Sequence, residues 1–188
     1  QLHGCLETVD RILGHSGSNS LELDMRHMSW VTPFTALILS NAIVQQEGRV
    51  VVHSPRGDNV RAYLNSIGFP MGKNSSSNMG CAIRHFSSDI PKASKNFFDV
   101  IEANFPQALN GNALKYMVSE LLDNVEQHSS STTTSIIAQY HPVKQCVDVG
   151  IIDNGHSIPS VFENHGLSFG EDAHAIRLDD LIHVGRTV

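Results

Sequence analysis

"SELLDNVEQHSS", residues 119–130, is the stretch on which the reading of the fold turns. Its pattern is helical. At 3.6 residues per turn, Leu114, Val118, Leu121 and Val125 form an apolar flank, while Glu120, Asn124 and His128 fall near a second line. A carboxylate and a carboxamide one turn apart are a usable chemical pair. The carboxylate can orient or deprotonate a water, and the carboxamide oxygen is a hard ligand suited to Mg²⁺, which keeps several waters of its own. Asp123 points about 100° round the helix from Asn124 and suits capping or pairing instead. The plain alternative is a solvated helix face.

Towards the C-terminus, "TTTSIIAQYH" (132–141) and "KQCVDVGIIDNG" (144–155) are β-branched runs joined by His141-Pro142-Val143, the pattern of a hairpin. The second run delivers Asp153 to a strand end, and "DNGHSIP" (153–159) follows. A carboxylate at such a rim can accept a hydrogen bond from a ligand amine. Gly155 supplies backbone freedom for close approach to a flat ring or a phosphate. Taken by itself, Asp-Asn-Gly is equally a tight turn.

Towards the N-terminus, "ALNGNALKYMVSELLDNVEQHS" (108–129) reads as one long helix, "KASKNFFDVIEANF" (92–105) as another and "CAIRHF" (81–86) as a strand. "PMGKNSSSNMG" (70–80) is rich in Pro, Gly, Ser and Asn and is the expected domain boundary. Before it, "SLELDMRHMSWVTPF" (20–34) reads as strand then loop, and Thr32 and Pro33 open a helix through "FTALILSNAIVQQ" (34–46). "RVVVHS" (49–54) is then a buried strand, and "GDNVRAYLNSIGF" (57–69) a short amphipathic helix begun by Asp58 or Asn59. Strand, helix, strand, helix is the order of a small α/β layer unit. Trp30 and Phe34 are expected to cover its core, and "EDAHAIRLDD" (171–180) to be a solvated helix face.

With 188 residues and 40% apolar content the chain can bury a real core. Its formal charge of -6 and its 13 Lys and Arg, with no dense run, speak against a nucleic-acid backbone as main partner. Cys5, Cys81 and Cys146 are odd in number and far apart, which fits a reducing compartment, the cytosol by default. No apolar run reaches the roughly 18–20 residues a membrane span needs, and no signal peptide opens the chain, although it begins at Gln1. The 11 histidines form no tight Cys/His cluster, so zinc is not expected.

The Glu-x-x-x-Asn helix, the hairpin and the Asp-x-Gly loop, in that order, resemble the first two nucleotide-binding boxes of the GHKL ATPases, the fold of gyrase, the heat-shock chaperone of ninety kilodaltons, histidine kinases and the mismatch-repair protein MutL. The resemblance lies in "ELLDNVEQHS" (120–129) and "DNGHSIP" (153–159). It implies a histidine-kinase-like, two-layer α/β sandwich over 81–188 that binds ATP and Mg²⁺. Glu120 stands where that family activates water or a phosphoacceptor, Asn124 where it ligates Mg²⁺, Asp153 where it reads the adenine amine and Gly155 where its first glycine lies beside the base. Ser157 replaces a second glycine, and His128 closes the helix box. The family's lid and Gly-x-Gly-x-Gly box have no counterpart after residue 160; Gly185-Arg186-Thr187 resembles the approach to the lid. Either the chain continues beyond Val188 or the site is degenerate.

Residues 21–55, with Asp24, Ser29 and Thr32, resemble a STAS-type domain, as in anti-sigma-factor antagonists, and imply such a unit over 1–72. Pro33 and Phe34 stand where that pattern has small residues, which argues against a phosphoswitch. The expectation is therefore an ATP-Mg-binding regulatory protein, an ATPase or a protein serine/threonine kinase of the anti-sigma-factor type, with a regulatory protein or a second copy of the chain as partner. The alternative is a non-catalytic interaction scaffold with a degenerate nucleotide site.

Overall fold

A computed structural model describes residues 2–17, 19–73, 76–77, 80–87, 90–104, 113–144, 146–157, 160 and 163. The architecture is mixed α/β, with helices packed on two small sheets. The opening segment, which the sequence pattern leaves unassigned, is α1 (Leu2–Leu13). Strand β1 (Leu21–Asp24) pairs in parallel with β2 (Val50–His53), and α2 (Pro33–Gln45) connects them. Thr32 is the cap of α2: its Oγ1 accepts the Thr35 N–H at 3.0 Å, with Pro33 in the first turn. In α3 (Asp58–Ser66) Gly57 takes the cap position, and neither Asp58 nor Asn59 does.

The second sheet runs β3 (Ser76–Ser77), β4 (Gly80–Phe86), β5 (Thr134–His141) and β6 (Cys146–Asp153), each antiparallel to its neighbour. The expected hairpin is β5–β6. Strand β5 is buried on both faces, since its alternate residues enter different clusters. Ile136 and Ala138 pack with Phe97, Phe98 and Ile101 of α4 (Ile90–Asn104) and with Val118 and Leu122 of α5 (Ala113–Asn124). Ile137 packs the other way, with Ala36 and Leu37 of α2 and Val60 and Leu64 of α3.

Helix α2 explains its own composition. It carries apolar residues on opposite sides because its middle, Ala36–Ile43, is enclosed. Ala36 and Leu37 meet the four-stranded sheet, while Ile38, Leu39, Ala42 and Ile43 meet Cys5 and Ile12 of α1 and the flanks of β1 and β2. One core thus draws on both stretches, 1–72 and 81–188. Trp30 and Phe34 do not cover it as expected: they stay 57% and 48% exposed.

At the seat of α2 on β6 lies Gly150. A Cβ there would stand 2.9 Å from a Leu37 methyl and 3.2 Å from an Ile137 methyl. Gly150→Ala is expected to lower stability by about 1–3 kcal/mol, an overpacking cost. Urea unfolding of the two forms reads this directly, and equal midpoints would show that α2 has room to lift.

Candidate functional site

Helix α5 seats itself on the sheet through Val118 and Leu122, with Leu114 partly buried beside them. This shifts the expected seam by one residue: Leu122 is buried and Leu121 is 50% exposed. Glu120 and Asn124 lie away from that seam, one turn and about 6 Å apart along the axis, both half-buried. Neither makes a side-chain hydrogen bond or ion pair among the described residues. Asp123 is exposed and likewise takes no such partner there, so the capping or pairing role expected of it is not seen.

The single long helix expected over 108–129 ends early. Residues 105–112 lie outside the described residues, and beyond Asn124 the winding widens into a π-turn over Val125–Ser129, closed by Ser130 in the left-handed region at φ 50°. The 3.6-residue line drawn through Glu120, Asn124 and His128 therefore holds only as far as Asn124. Such turns interrupt α-helices preferentially at functional positions. Here the interruption begins at the residue after Asn124.

Asp153 is the last residue of β6, paired across the ladder with Thr134. By alternation it shares the sheet face of Val147, Val149 and Ile151, the face that receives α5. Its Oδ1 accepts the Gly155 N–H at 2.8 Å. That bond fixes the plane of the carboxylate, and Oδ2 keeps its lone pairs uncommitted among the described residues. A half-buried carboxylate with one oxygen anchored and one open is a directed acceptor for an N–H donor. Ser157 is exposed and turned to its own chain: its carbonyl accepts the Ser160 hydroxyl at 2.8 Å.

The residue that the sequence reading passes over is Asn154. Its Oδ1 accepts the Thr132 and Thr133 N–H groups at 3.0 and 2.8 Å and the Ser131 hydroxyl at 2.9 Å. Its Nδ2 donates to Thr132 Oγ1 at 2.8 Å and to Gln45 Oε1 of α2 at 3.2 Å. Asn154 therefore ties the end of β6 to the start of β5. Its quoted place in Asp-Asn-Gly was the available signal, since Asn readily bonds nearby backbone groups.

In the first stretch, Arg26 grips Asp24 through Nε and Nη2 at 2.9 and 2.8 Å and through its backbone N–H, holding that carboxyl well below the usual range. Thr32 donates its hydroxyl to Thr35 at 2.8 Å. Both side chains are occupied in structural bonds, and Thr32 is the helix cap rather than a free acceptor hydroxyl. They border a cavity of about 250 Å³ with Cys5, Met25, Met28 and Trp30; Glu120, Asn124 and Asp153 do not line it. Burial pushes the Cys5 thiol pKa up, so it is a protonated, poorly nucleophilic sulfur.

Among the described residues no group of three or more His, Cys, Asp and Glu is placed to hold a metal ion, and no helix is long and apolar enough to cross a membrane. His141 instead bonds Asp148 across the hairpin at 2.8 Å. The histidines at 165, 174 and 183, the helix face expected over 171–180 and the glycines near 185 lie outside the described residues. The chain matches no protein-family model, no curated protein and no solved structure.

Proposed function

We infer that the chain binds ATP with Mg²⁺ between α5 and the β6 loop, in the manner of the GHKL ATPases, beside a STAS-like first unit. One observation carries the reading. Glu120 and Asn124, on α5 away from its seam with the sheet, and the Oδ2 of Asp153, at the end of β6 on the face that α5 covers, are half-buried polar groups with no side-chain partner among the described residues. None of the three is spent on holding the fold, so each is available to a ligand that replaces its water.

The roles follow from the chemistry of each group. Asp153 accepts the exocyclic amine of adenine, while Gly155 leaves the base room to approach. Asn124 fits Mg²⁺ in donor type, because one hard carboxamide oxygen suffices where phosphates and waters complete the shell; the ion would neutralise charge on the triphosphate. Glu120 takes a proton from the attacking water or protein hydroxyl. The new bond joins that oxygen to the γ-phosphorus, the bond to the ADP oxygen breaks, and ADP leaves with the electron pair. Ser157 in place of a second glycine, with no Gly-x-Gly-x-Gly box after residue 160, favours the second reading, a scaffold whose nucleotide site has decayed.

Asn124→Ala separates the two. In calorimetry on the full-length protein it is expected to weaken ATP binding when Mg²⁺ is present and to leave Mg²⁺-free ATP binding at the parent value, because the lost ligand acts through the ion. An equal loss in both conditions makes Asn124 a structural residue of α5. A parent that binds no nucleotide in either condition favours the scaffold.

A further inference from the structure

Helix α2 carries buried polar side chains on an otherwise apolar surface, and they are joined. Gln45 Nε2 donates to Asn41 Oδ1 at 2.7 Å, and Asn41 Nδ2 donates to Ser135 Oγ at 2.8 Å. The Ser135 hydroxyl meets His85 Nδ1 at 2.7 Å, and His85 Nε2 meets Ser40 Oγ at 3.0 Å and the Pro70 carbonyl at 3.2 Å. Ser40 also donates to the Pro70 carbonyl. Asn41, Ser40 and Ser135 are buried. At the far end, Asn154 Nδ2 donates to Gln45 Oε1.

With a neutral His85 carrying its proton on Nε2, the donors can all run one way. Asn154 then donates to Gln45, Gln45 to Asn41, Asn41 to Ser135, Ser135 to His85, and His85 to Ser40. Ser40 from α2, Ser135 from β5 and the Pro70 carbonyl are the groups bonded to the ring, and burial lowers its pKa against the raising effect of that carbonyl. The middle of this chain is buried, so breaking a link there strands the next, while its outer end runs through the half-buried Gln45 to the exposed Asn154.

We propose that Gln45 and Asn154 form a latch through which the seating of α2 positions the Asp153 carboxylate, and so sets which base the site accepts. The proposal rests on the nucleotide reading above. Asn154 follows Asp153 directly and fixes the loop on which Gly155 anchors the Asp153 Oδ1. Gln45 holds Asn154 from outside that loop. With Gln45 removed, Asn154 loses its bond to α2, and the carboxylate gains angular freedom. An acceptor aimed at the adenine amine then discriminates less well against guanine, which presents a carbonyl oxygen at that position.

The test uses the full-length protein as parent, Gln45→Met and Asn154→Asp. The first variant replaces a half-buried amide by an apolar chain of similar reach. The second keeps an acceptor for the Thr132 and Thr133 amides while deleting the donor to Gln45 and with it the bond to Thr132 Oγ1; Thr132→Val, which loses only the latter, is its control, so the proposal stays testable if the first folds poorly. Amide hydrogen exchange at Thr132, Thr133 and Gly155 should quicken by roughly 3–10-fold in both, the weight of one hydrogen bond, with Ile137 and Val149 unchanged. The preference for Mg-ATP over Mg-GTP should fall by a similar factor while Mg-GTP affinity holds. Unchanged exchange overturns the latch whether or not nucleotide binds. Faster exchange with unchanged base preference overturns the positioning role. A parent that binds neither nucleotide overturns the nucleotide reading, and exchange alone then judges the mechanical link.

Discussion

Asp153→Ala weakens Mg-ATP binding by roughly 10- to 150-fold, the weight of a hydrogen bond to a charged acceptor, if this carboxylate receives the adenine amine. Alanine alone leaves an ambiguity, because Asp153 Oδ1 also accepts the Gly155 N–H. Asp153→Asn resolves it. The carboxamide oxygen can keep the bond to Gly155, but the second atom becomes an NH₂ that faces the amine donor to donor. Both variants should therefore lose affinity, while the asparagine form retains the parent's exchange protection at Gly155. Calorimetry with exchange on the same samples gives the answer. Parent-like ATP affinity in Asp153→Asn would remove Asp153 from the binding site and leave it as a turn residue.

If Glu120 is the general base proposed above, Glu120→Ala is expected to lower turnover and spare binding. A carboxylate that takes a proton from the attacking oxygen contributes a factor of roughly 10² to 10⁴ to rate. It contributes little to the ground state, where its charge repels the triphosphate. The variant should bind Mg-ATP at least as tightly as the parent while phosphate release, or transfer to a protein hydroxyl, drops by that factor. Affinity and turnover must be measured side by side. Loss of affinity in Glu120→Ala equal to that in Asn124→Ala would make the shared helix line structural, and a parent that binds firmly but releases no phosphate would favour the scaffold reading.

Elements whose cause is local were legible. The β-branched runs are strands β5 and β6, Thr32-Pro33 opens α2, and Asp153 ends its strand, because propensity, capping and alternation act over a few residues. The one-residue error at Leu121 has another origin. Which of two adjacent leucines enters the seam depends on how α5 is rolled against β5, which periodicity does not specify. The π-turn after Asn124 has no compositional mark in "VEQHS" (125–129). Trp30 was misjudged because bulk apolar character predicts burial only on average. The polar chain was out of reach for a different reason: Asn41 and Ser135 lie 94 residues apart, and Gln45 and Asn154 lie 109 apart. No window along the chain brings them into one pattern.

The enclosure of α2 also bears on the order in which the protein is made. Leu37 leaves the ribosome about a hundred residues before Ile137, the strand residue that shares its core. At roughly 5–20 residues per second, that is a delay on the order of 5–20 s. Until then the sheet-facing side of this largely apolar helix has its early neighbours α1, β1, β2 and α3 and, part-way through, β4 to pack on. The nascent chain thus presents a sticky surface until its hairpin arrives, which makes α2 the natural place for a chaperone to hold and for a stalled or fragmentary chain to aggregate.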